Sequence, residues 1–184
     1  YTYLLADPKT REAIIIDPVI DRLERDLKLL QEYDLKLLFI CDTHVHADHI
    51  TAADELRART GAKTCVSRYA SLPCVDIPLQ GGDKLCFGEY ELTVLETPGH
   101  TSCSLSLVGG GLVFTGDTLL IRGCGRTDFQ NGSSKELYRS VRDKLFILPD
   151  QTLIYPAHDY KGHTSSSIGM EKAFNPRLKD GVTL

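Results

Sequence analysis

The chain has little of what would place it in a membrane, on nucleic acid or outside the cell. Its 184 residues contain no apolar run of membrane-spanning length and no charged-then-apolar opening of the kind that signal peptides have. Lysine and arginine number 21 against 25 aspartate and glutamate residues, and no stretch forms a basic stripe. This balance argues against nucleic acid as a partner. We therefore expect a protein that is not secreted and has no nucleic-acid or membrane partner.

Cysteine pairs of the Cys-x-x-Cys type are also missing, although the chain has six cysteines. Most of them stand singly in apolar runs, so we interpret them as reduced, mostly buried small hydrophobes rather than a disulfide framework. They are Cys41, Cys65, Cys74, Cys86, Cys103 and Cys124. Reduced thiols favour the bacterial cytoplasm or, in a eukaryote, the mitochondrial matrix. The chain opens at Tyr1 without an initiator methionine, which indicates a trimmed polypeptide.

An ordinary composition predicts one folded α/β domain over residues 1–184. Apolar residues make up 42% of the chain and charged residues 25%, as in a globular protein with a full core. Strand-like apolar runs alternate with helical patterns. Capping boxes at Asp21 with Glu24 and at Ser133 with Glu136 predict two helix starts. After a strand at 153–155, the rest of the chain is predicted to be a short, mostly polar tail.

Candidate metal ligands are concentrated in the segment THVHADH at residues 43–49. This segment directly follows the apolar run at 35–40, which is predicted to be a buried strand. A strand that delivers several donors at its carboxyl end is one way to build a metal site. The donors are His44, His46, Asp48 and His49. Imidazole and carboxylate groups in this mix suit zinc, iron or manganese better than calcium or copper(I).

Three more candidate ligands lie farther along the chain, each where a short apolar run ends. His100 follows a Pro-Gly turn, Asp117 follows a glycine, and His158 follows the apolar residues 153–157. One such residue alone would be an ordinary polar group at a strand end. Several in one small domain are hard to explain separately, because ligands of α/β folds collect where the loops beyond the carboxyl ends of strands converge.

This set of donors resembles the pattern of the metallo-β-lactamase superfamily, and the resemblance covers nearly the whole chain. The order His-x-His-x-Asp-His, then His, Asp and His, is specific in ligand type and in local turn chemistry. The resemblance implies a single domain with a four-layer αββα sandwich, and a metal cleft along one edge of its two sheets. It does not fix the reaction, because one scaffold can host many chemistries.

Two chemistries fit these residues. In a hydrolytic site all seven donors would hold two metals, bridged by Asp117, and a metal-bound water would attack an acyl or phosphoryl centre. In an oxidative site two histidines and a carboxylate would hold one iron(II) on one face, leaving positions for dioxygen and substrate. Ligand spacing alone does not distinguish the two.

Three other stretches resemble the persulfide dioxygenases, the ETHE1-like branch of this superfamily. They read TGDTLLIRGCGRTDFQ at 115–130, YPAHDYKG at 155–162 and NPRL at 175–178. The resemblance implies oxidation of glutathione persulfide by dioxygen to sulfite and glutathione, with one Fe(II) per chain bound by His44, His100 and Asp117. The remaining donors would be vestiges of a second metal site that orient the ligands through hydrogen bonds, namely His46, Asp48, His49 and His158.

Arg126 is the first candidate for holding the carboxylates of glutathione, because a guanidinium can bind a carboxylate with two hydrogen bonds. The alternative is a structural ion pair with Asp128 or Asp159. Tyr160 is a second candidate, as a hydroxyl donor beside the metal loop. Arg122 is predicted to anchor the loop. The other residues considered are expected to have no direct role: Lys161, His163 and Arg177 at the surface, Cys124 as a packing residue, and Cys103 in a locally repacked turn.

Two other functions are kept open. A glyoxalase II-type hydrolase of glutathione thiolesters shares the sandwich, but that family usually has a further helical domain after the last histidine, and about two dozen residues follow His158 here. A sulfur-binding or redox-sensing module without catalysis is disfavoured, because all the ligands are intact. A homodimer and a sulfurtransferase of the same pathway are compatible with the resemblance, although no residue reports either.

Overall fold

The computed structural model describes residues 1–183, which form two β-sheets packed face to face with helices on both outer sides. The first sheet has the order β1-β2-β3-β4-β5, with strands Tyr3–Ala6, Glu12–Ile16, Lys36–Cys41, Lys63–Ser67 and Ile77–Leu79. The second has the order β11-β10-β9-β8-β7-β6, with β6 to β11 at Lys84–Phe87, Tyr90–Glu96, Leu105–Gly109, Leu112–Gly116, Leu153–Pro156 and Ser166–Ser167. The helices α1 to α4 span Leu23–Glu32, Ala53–Thr60, Ser134–Ser140 and Ile168–Phe174.

Three apolar clusters fill the spaces between four layers. The cluster between the sheets takes side chains from both, for example Ile16 and Leu107. A second cluster packs α1 and α2 on the outer face of the first sheet, and a third packs α3 and α4 on the second. The predicted αββα sandwich is therefore confirmed. Because β2 has helices on one side and a sheet on the other, its run of three isoleucines is buried on both faces.

Strand direction places the candidate ligands at one edge. In the first sheet β2 and β3 are parallel, with Ile16 opposite Cys41, so the residues that follow both strands leave at the same edge. In the second sheet β9 and β10 are parallel, and Gly116 lies opposite Pro156. The two sheets are joined at this edge by a hydrogen bond of 2.7 Å from the Leu105 amide to the Thr43 carbonyl.

The two predicted capping boxes had different outcomes. Ser133 accepts a hydrogen bond from the Glu136 amide, which confirms the predicted start of α3, but the box is only half formed because the Ser133 amide donates to the Gly99 carbonyl and Glu136 pairs with Arg139. The Asp21 box was wrong: a 3-10 turn over Ile20–Arg22 precedes α1, whose N-cap Arg22 makes no side-chain cap within residues 1–183. The 3-10 turn moves the helix start beyond Asp21, so its carboxylate no longer faces the free amides.

The prediction of a polar tail was also wrong. The residues after His158 form β11 and α4, and Ile168, Glu171, Asn175 and Leu178 are buried. The cysteine prediction held only in part, because all six thiols are free but Cys74 and Cys86 are exposed. None of the helices in residues 1–183 is long and apolar enough to cross a membrane.

Candidate metal centre

All seven predicted donors lie at the sheet edge described above. His44 follows β3, His100 follows β7, and Asp117 follows β9. One ligand atom from each of these three lies within 4.8 Å of the other two. The His44 and His100 rings meet edge to face with centroids 5.0 Å apart. The structure therefore brings together the two histidines and the carboxylate that the family resemblance assigned to one ion.

The imidazoles of this group are prepared for metal binding. His100 Nδ1 lies 2.8 Å from the Arg126 carbonyl oxygen, which can only accept, so Nδ1 carries the hydrogen and Nε2 is the nitrogen left for a ligand. That Nε2 lies 3.5 Å from Asp117 Oδ2. Burial, reinforced by His46, lowers the pKa of His44 to about 4, so its ring is neutral at physiological pH. Neutral imidazole is the form that binds metals.

The Asp117 carboxylate is held in its ionised form. Burial alone would raise its pKa, but the hydrogen bond and charge of His158 outweigh burial and keep the pKa below its usual range. His158 Nδ1 lies 2.7 Å from Asp117 Oδ1, and its Nε2 lies 2.9 Å from Asp48 Oδ2. These contacts, with the hydrogen bond to Asp117 first, raise the pKa of His158 to about 9 against the opposing effect of burial. Two imidazoles and one carboxylate on one face fit the donor set of a mononuclear iron(II) site.

A second group of donors lies beside the first. His46, Asp48 and His49 also have ligand atoms within 4.8 Å of one another. Among the contacts of residues 1–183, His46 Nδ1 and His49 Nε2 are buried without a hydrogen-bond partner. Buried polar atoms without partners are costly, and a metal ion is one group that would satisfy them. This second group could therefore hold an ion of its own.

The cleft over the first group has a volume of about 750 Å³. Arg126 and Tyr160, the two residues predicted to bind substrate, both line this cleft. Arg126 also forms the alternative ion pair, with Nε 2.8 Å from Asp128 Oδ1, at an exposed position. Tyr160 is 84% exposed and stacks on the His158 ring. Arg177 is exposed, as predicted for a surface charge, and it also lines the cleft.

Arg122, Cys124 and Cys103 contact the loops around the cleft. Arg122 anchors the loop as predicted, donating from its guanidinium and its amide to the buried carboxylate of Glu171. Cys124 packs against the apolar cluster of the second sheet, with its sulfur 3.9 Å from Arg177 Nη1. Cys103 is buried beside the Thr101 hydroxyl at 3.3 Å.

Sequence reasoning missed two residues at the centre. Asp17 follows β2 and its buried carboxylate contacts Thr43 and His46. The signal was present, since Asp17 ends an apolar run just as Asp117 does. Burial would raise the pKa of Asp17, but the hydrogen bond and charge of His46 hold it below its usual range. Gly125 was the other residue, and its backbone lies against Asp117 and His100.

Comparison with known proteins agrees with this geometry. The chain matches the metallo-beta-lactamase superfamily over residues 1–79 and 75–158. It is 48% identical to the mitochondrial persulfide dioxygenase ETHE1 of Mus musculus over 181 residues, covering 97% of this chain and 71% of that protein. The crystal structure of ETHE1 from Myxococcus xanthus superposes with a TM-score of 0.94 at 52% identity, covering 97% of this chain and 79% of that one. A hydroxyacylglutathione hydrolase of Cereibacter sphaeroides is 36% identical over 164 residues, covering 87% of this chain and 62% of that protein.

Proposed function

The chain belongs to the metallo-β-lactamase superfamily and, within it, to the ETHE1-like persulfide dioxygenases, and on this basis we propose that it oxidises glutathione persulfide with dioxygen. The reaction consumes one dioxygen and one water for each persulfide and yields sulfite, glutathione and two protons. The terminal sulfur is oxidised and dioxygen is reduced, so no further electron donor is needed. One Fe(II) would be held by His44, His100 and Asp117.

The observation that carries this proposal is the convergence of these three donors on one side of an open cleft. Iron held there by His44, His100 and Asp117 would supply the redox chemistry for persulfide and dioxygen. A cleft that holds both reactants over these ligands would lower the entropic cost of bringing them together. The Asp117 carboxylate would balance part of the metal charge, and His158 keeps that carboxylate ionised and oriented.

The substrate carboxylates would be held by cations of the cleft. Glutathione carries two carboxylates, and the chain as a whole has a net charge of −4, so local positive charge is required. Arg126 and Arg177 line the cleft and supply that charge. For Arg126 to bind a carboxylate in two places, it must exchange its exposed pairing with Asp128, which costs little at a solvated position. The hydroxyl of Tyr160 adds a donor at the mouth of the cleft.

His158 and the second group of donors would together orient the first group in this reaction. His158 links Asp117 to Asp48, which in turn lies 3.3 Å from His49 Nδ1. Hydrogen-bond partners of this kind fix the direction in which a ligand presents its lone pair. His46, Asp48, His49 and His158 therefore act as positioning groups in the proposed enzyme.

A glutathione thiolester hydrolase is the second candidate, favoured by one observation. The unpartnered nitrogens of His46 and His49 would suit a second metal, as a two-metal hydrolytic site requires. The dioxygenase is preferred because the identity to ETHE1 proteins is higher and extends over more of the chain.

The test is to purify the protein without oxygen, measure its metal content, and follow oxygen uptake on adding glutathione persulfide. About one iron per chain with persulfide-dependent oxygen uptake, both lost in Asp117→Ala, is the expected result. About two zinc ions per chain, no oxygen uptake and hydrolysis of a glutathione thiolester would replace the dioxygenase with the hydrolase. A homodimer and a sulfurtransferase that delivers persulfide stay predictions.

A further inference from the structure

Asp17 occupies a left-handed backbone position, which is uncommon for residues other than glycine. Its φ of 51° lies in the left-handed region, where residues with a side-chain Cβ are strained. The main chain is held there by hydrogen bonds of 2.9 Å to the Cys41 carbonyl and 2.8 Å from the Thr2 hydroxyl. The side chain is only 3% exposed. The backbone therefore fixes a carboxylate inside the protein, next to the loop that carries His44.

The carboxylate of Asp17 accepts from two neighbours on that loop. Its Oδ1 lies 2.7 Å from the Thr43 amide nitrogen and 3.1 Å from His46 Nε2. Its Oδ2 lies 2.9 Å from the Thr43 hydroxyl oxygen. A carboxylate that accepts this many hydrogen bonds has no hydrogen of its own to donate. Thr43 and His46 are therefore the donors in all three bonds to Asp17.

The direction of the Thr43 bond determines which nitrogen of His44 carries a hydrogen. A hydroxyl has one hydrogen, and Thr43 uses it to bond Asp17. The Thr43 oxygen then presents a lone pair to His44 Nδ1, 3.0 Å away. His44 Nδ1 must therefore be the protonated nitrogen and donate to Thr43. Its Nε2 is left bare, as is the Nε2 of His100.

We propose that Asp17 and Thr43 are positioning residues that fix the tautomer of His44, so that Nε2 is the nitrogen available to a metal. This inference rests on the proposed role of His44 as a ligand, but the tautomer itself exists whether or not metal is bound. The Thr43 hydroxyl would behave differently if the side chain of residue 17 were neutral. In Asp17→Asn, Oδ1 can still accept from the Thr43 amide, so the new NH₂ occupies the position of Oδ2. It would then donate to the Thr43 oxygen.

That reversal predicts a specific change in His44. The Thr43 hydroxyl, no longer bonded to a carboxylate, would turn its hydrogen toward His44 Nδ1. The imidazole would then move its own hydrogen to Nε2, which closes that nitrogen to a metal. The shape of the site would be almost unchanged, because Asp and Asn have the same heavy-atom geometry. In a Ser-His-Asp triad, an Asp-to-Asn change likewise keeps the geometry and leaves the histidine in the wrong tautomer.

The experiment is 15N NMR of the histidine rings in metal-free protein, above neutral pH, with His44 assigned by comparison with a His44→Gln variant. We expect His44 to be protonated on Nδ1 in the native chain and in Thr43→Ser, which keeps the hydroxyl. We expect Nε2 protonation in Asp17→Asn and loss of a single tautomer in Thr43→Val, which keeps the shape without the hydroxyl. Iron affinity, measured by competition with a chelator, should fall roughly 10- to 100-fold in Asp17→Asn and Thr43→Val but not in Thr43→Ser.

The native spectrum alone can overturn the inference, so it stays testable if a variant does not fold. Protonation of His44 on Nε2 in the native protein would contradict it directly. An unchanged His44 tautomer in a folded Asp17→Asn chain would show that this pair has only a structural role. Failure of the dioxygenase proposal would be seen separately, as absent oxygen uptake with the native tautomer in place.

Discussion

Gly125 shows how closely the loop after Asp117 packs against the candidate ligands. A Cβ atom at this position would lie 2.3 Å from the Asp117 carbonyl oxygen and 2.8 Å from His100 Nδ1. Both distances are far below van der Waals contact, and the nearer atom belongs to the backbone. The Gly125 amide donates to that same carbonyl at 2.8 Å. Only a residue without a side chain allows this hydrogen bond and the position of His100 together.

Replacing this glycine should therefore damage the metal centre. We expect Gly125→Ala to lose about 1–3 kcal/mol of stability through overpacking and to bind iron more weakly, because the added methyl displaces Asp117 or His100. Urea unfolding and chelator competition measure the two effects. Gly123→Ala is the matched control, since its Cβ would meet Leu120 at an ordinary 3.8 Å. Equal behaviour of the two variants would mean that the loop moves away without cost.

Single residues of the site differed in how far the sequence could predict them. The metal donors were predictable because each ends an apolar run, and strand ends converge at one edge of a sheet. Asp17 has the same signal, but its partners are a threonine and a histidine that no spacing rule links to it. Arg177 could not be assigned to the cleft, because its position depends on the fold of the segment after His158.

Helix α4 fixes the long loop that follows β9. Glu171 of this helix is fully buried, and its carboxylate accepts from the Arg122 amide, the Arg122 guanidinium, the Ser166 hydroxyl and the Asn175 side chain. Arg122 itself has a left-handed φ of 56°, which these bonds stabilise. Asn175 also donates to the Gly123 carbonyl at 3.0 Å. The segment after His158 thus holds the loop that carries Gly125 and Arg126.

Neutralising this carboxylate should loosen the loop. We expect Glu171→Gln to cost about 1–3 kcal/mol, less than breaking a fully buried ion pair, because Arg122 keeps part of its guanidinium in water. Urea unfolding measures the loss. Glu136→Gln provides the control, since Glu136 pairs with Arg139 on the surface and should change stability by less than about 0.5 kcal/mol. A loss of stability in Glu136→Gln as large as that in Glu171→Gln would contradict a special role for the buried contact between Glu171 and Arg122.

Whole elements were predictable where an apolar run or a cap defined them. Strand β2 and the start of α3 are two examples, with three consecutive isoleucines in β2 and the Ser133 side chain capping the Glu136 amide. Helix α4 was missed because it has only seven residues and two fully buried side chains, of which one is the charged Glu171. A short helix with a charged buried face does not have the apolar periodicity that predicts a helix.

At the scale of the whole molecule, the candidate ligands come from both sheets. His44 follows a strand of the first sheet, whereas His100 and Asp117 follow strands of the second. The Leu105 amide of the second sheet also donates to the Thr43 carbonyl, next to His44. A metal held by these three ligands would therefore connect the two halves of the sandwich where their strands end.

Metal should consequently stabilise the entire fold and not only its cleft. Because the unfolded chain does not bring the three ligands together, iron(II) at about 100 times its dissociation constant should add about 2.7 kcal/mol to the free energy of unfolding. Anaerobic urea unfolding with iron(II), and again with excess chelator, measures this difference. In Asp117→Ala the gain should nearly vanish, since one of three ligands and the contact with His158 are lost. An equal gain in the native chain and in Asp117→Ala would show that the stabilising ion binds elsewhere, with the second group of donors as the first site to examine.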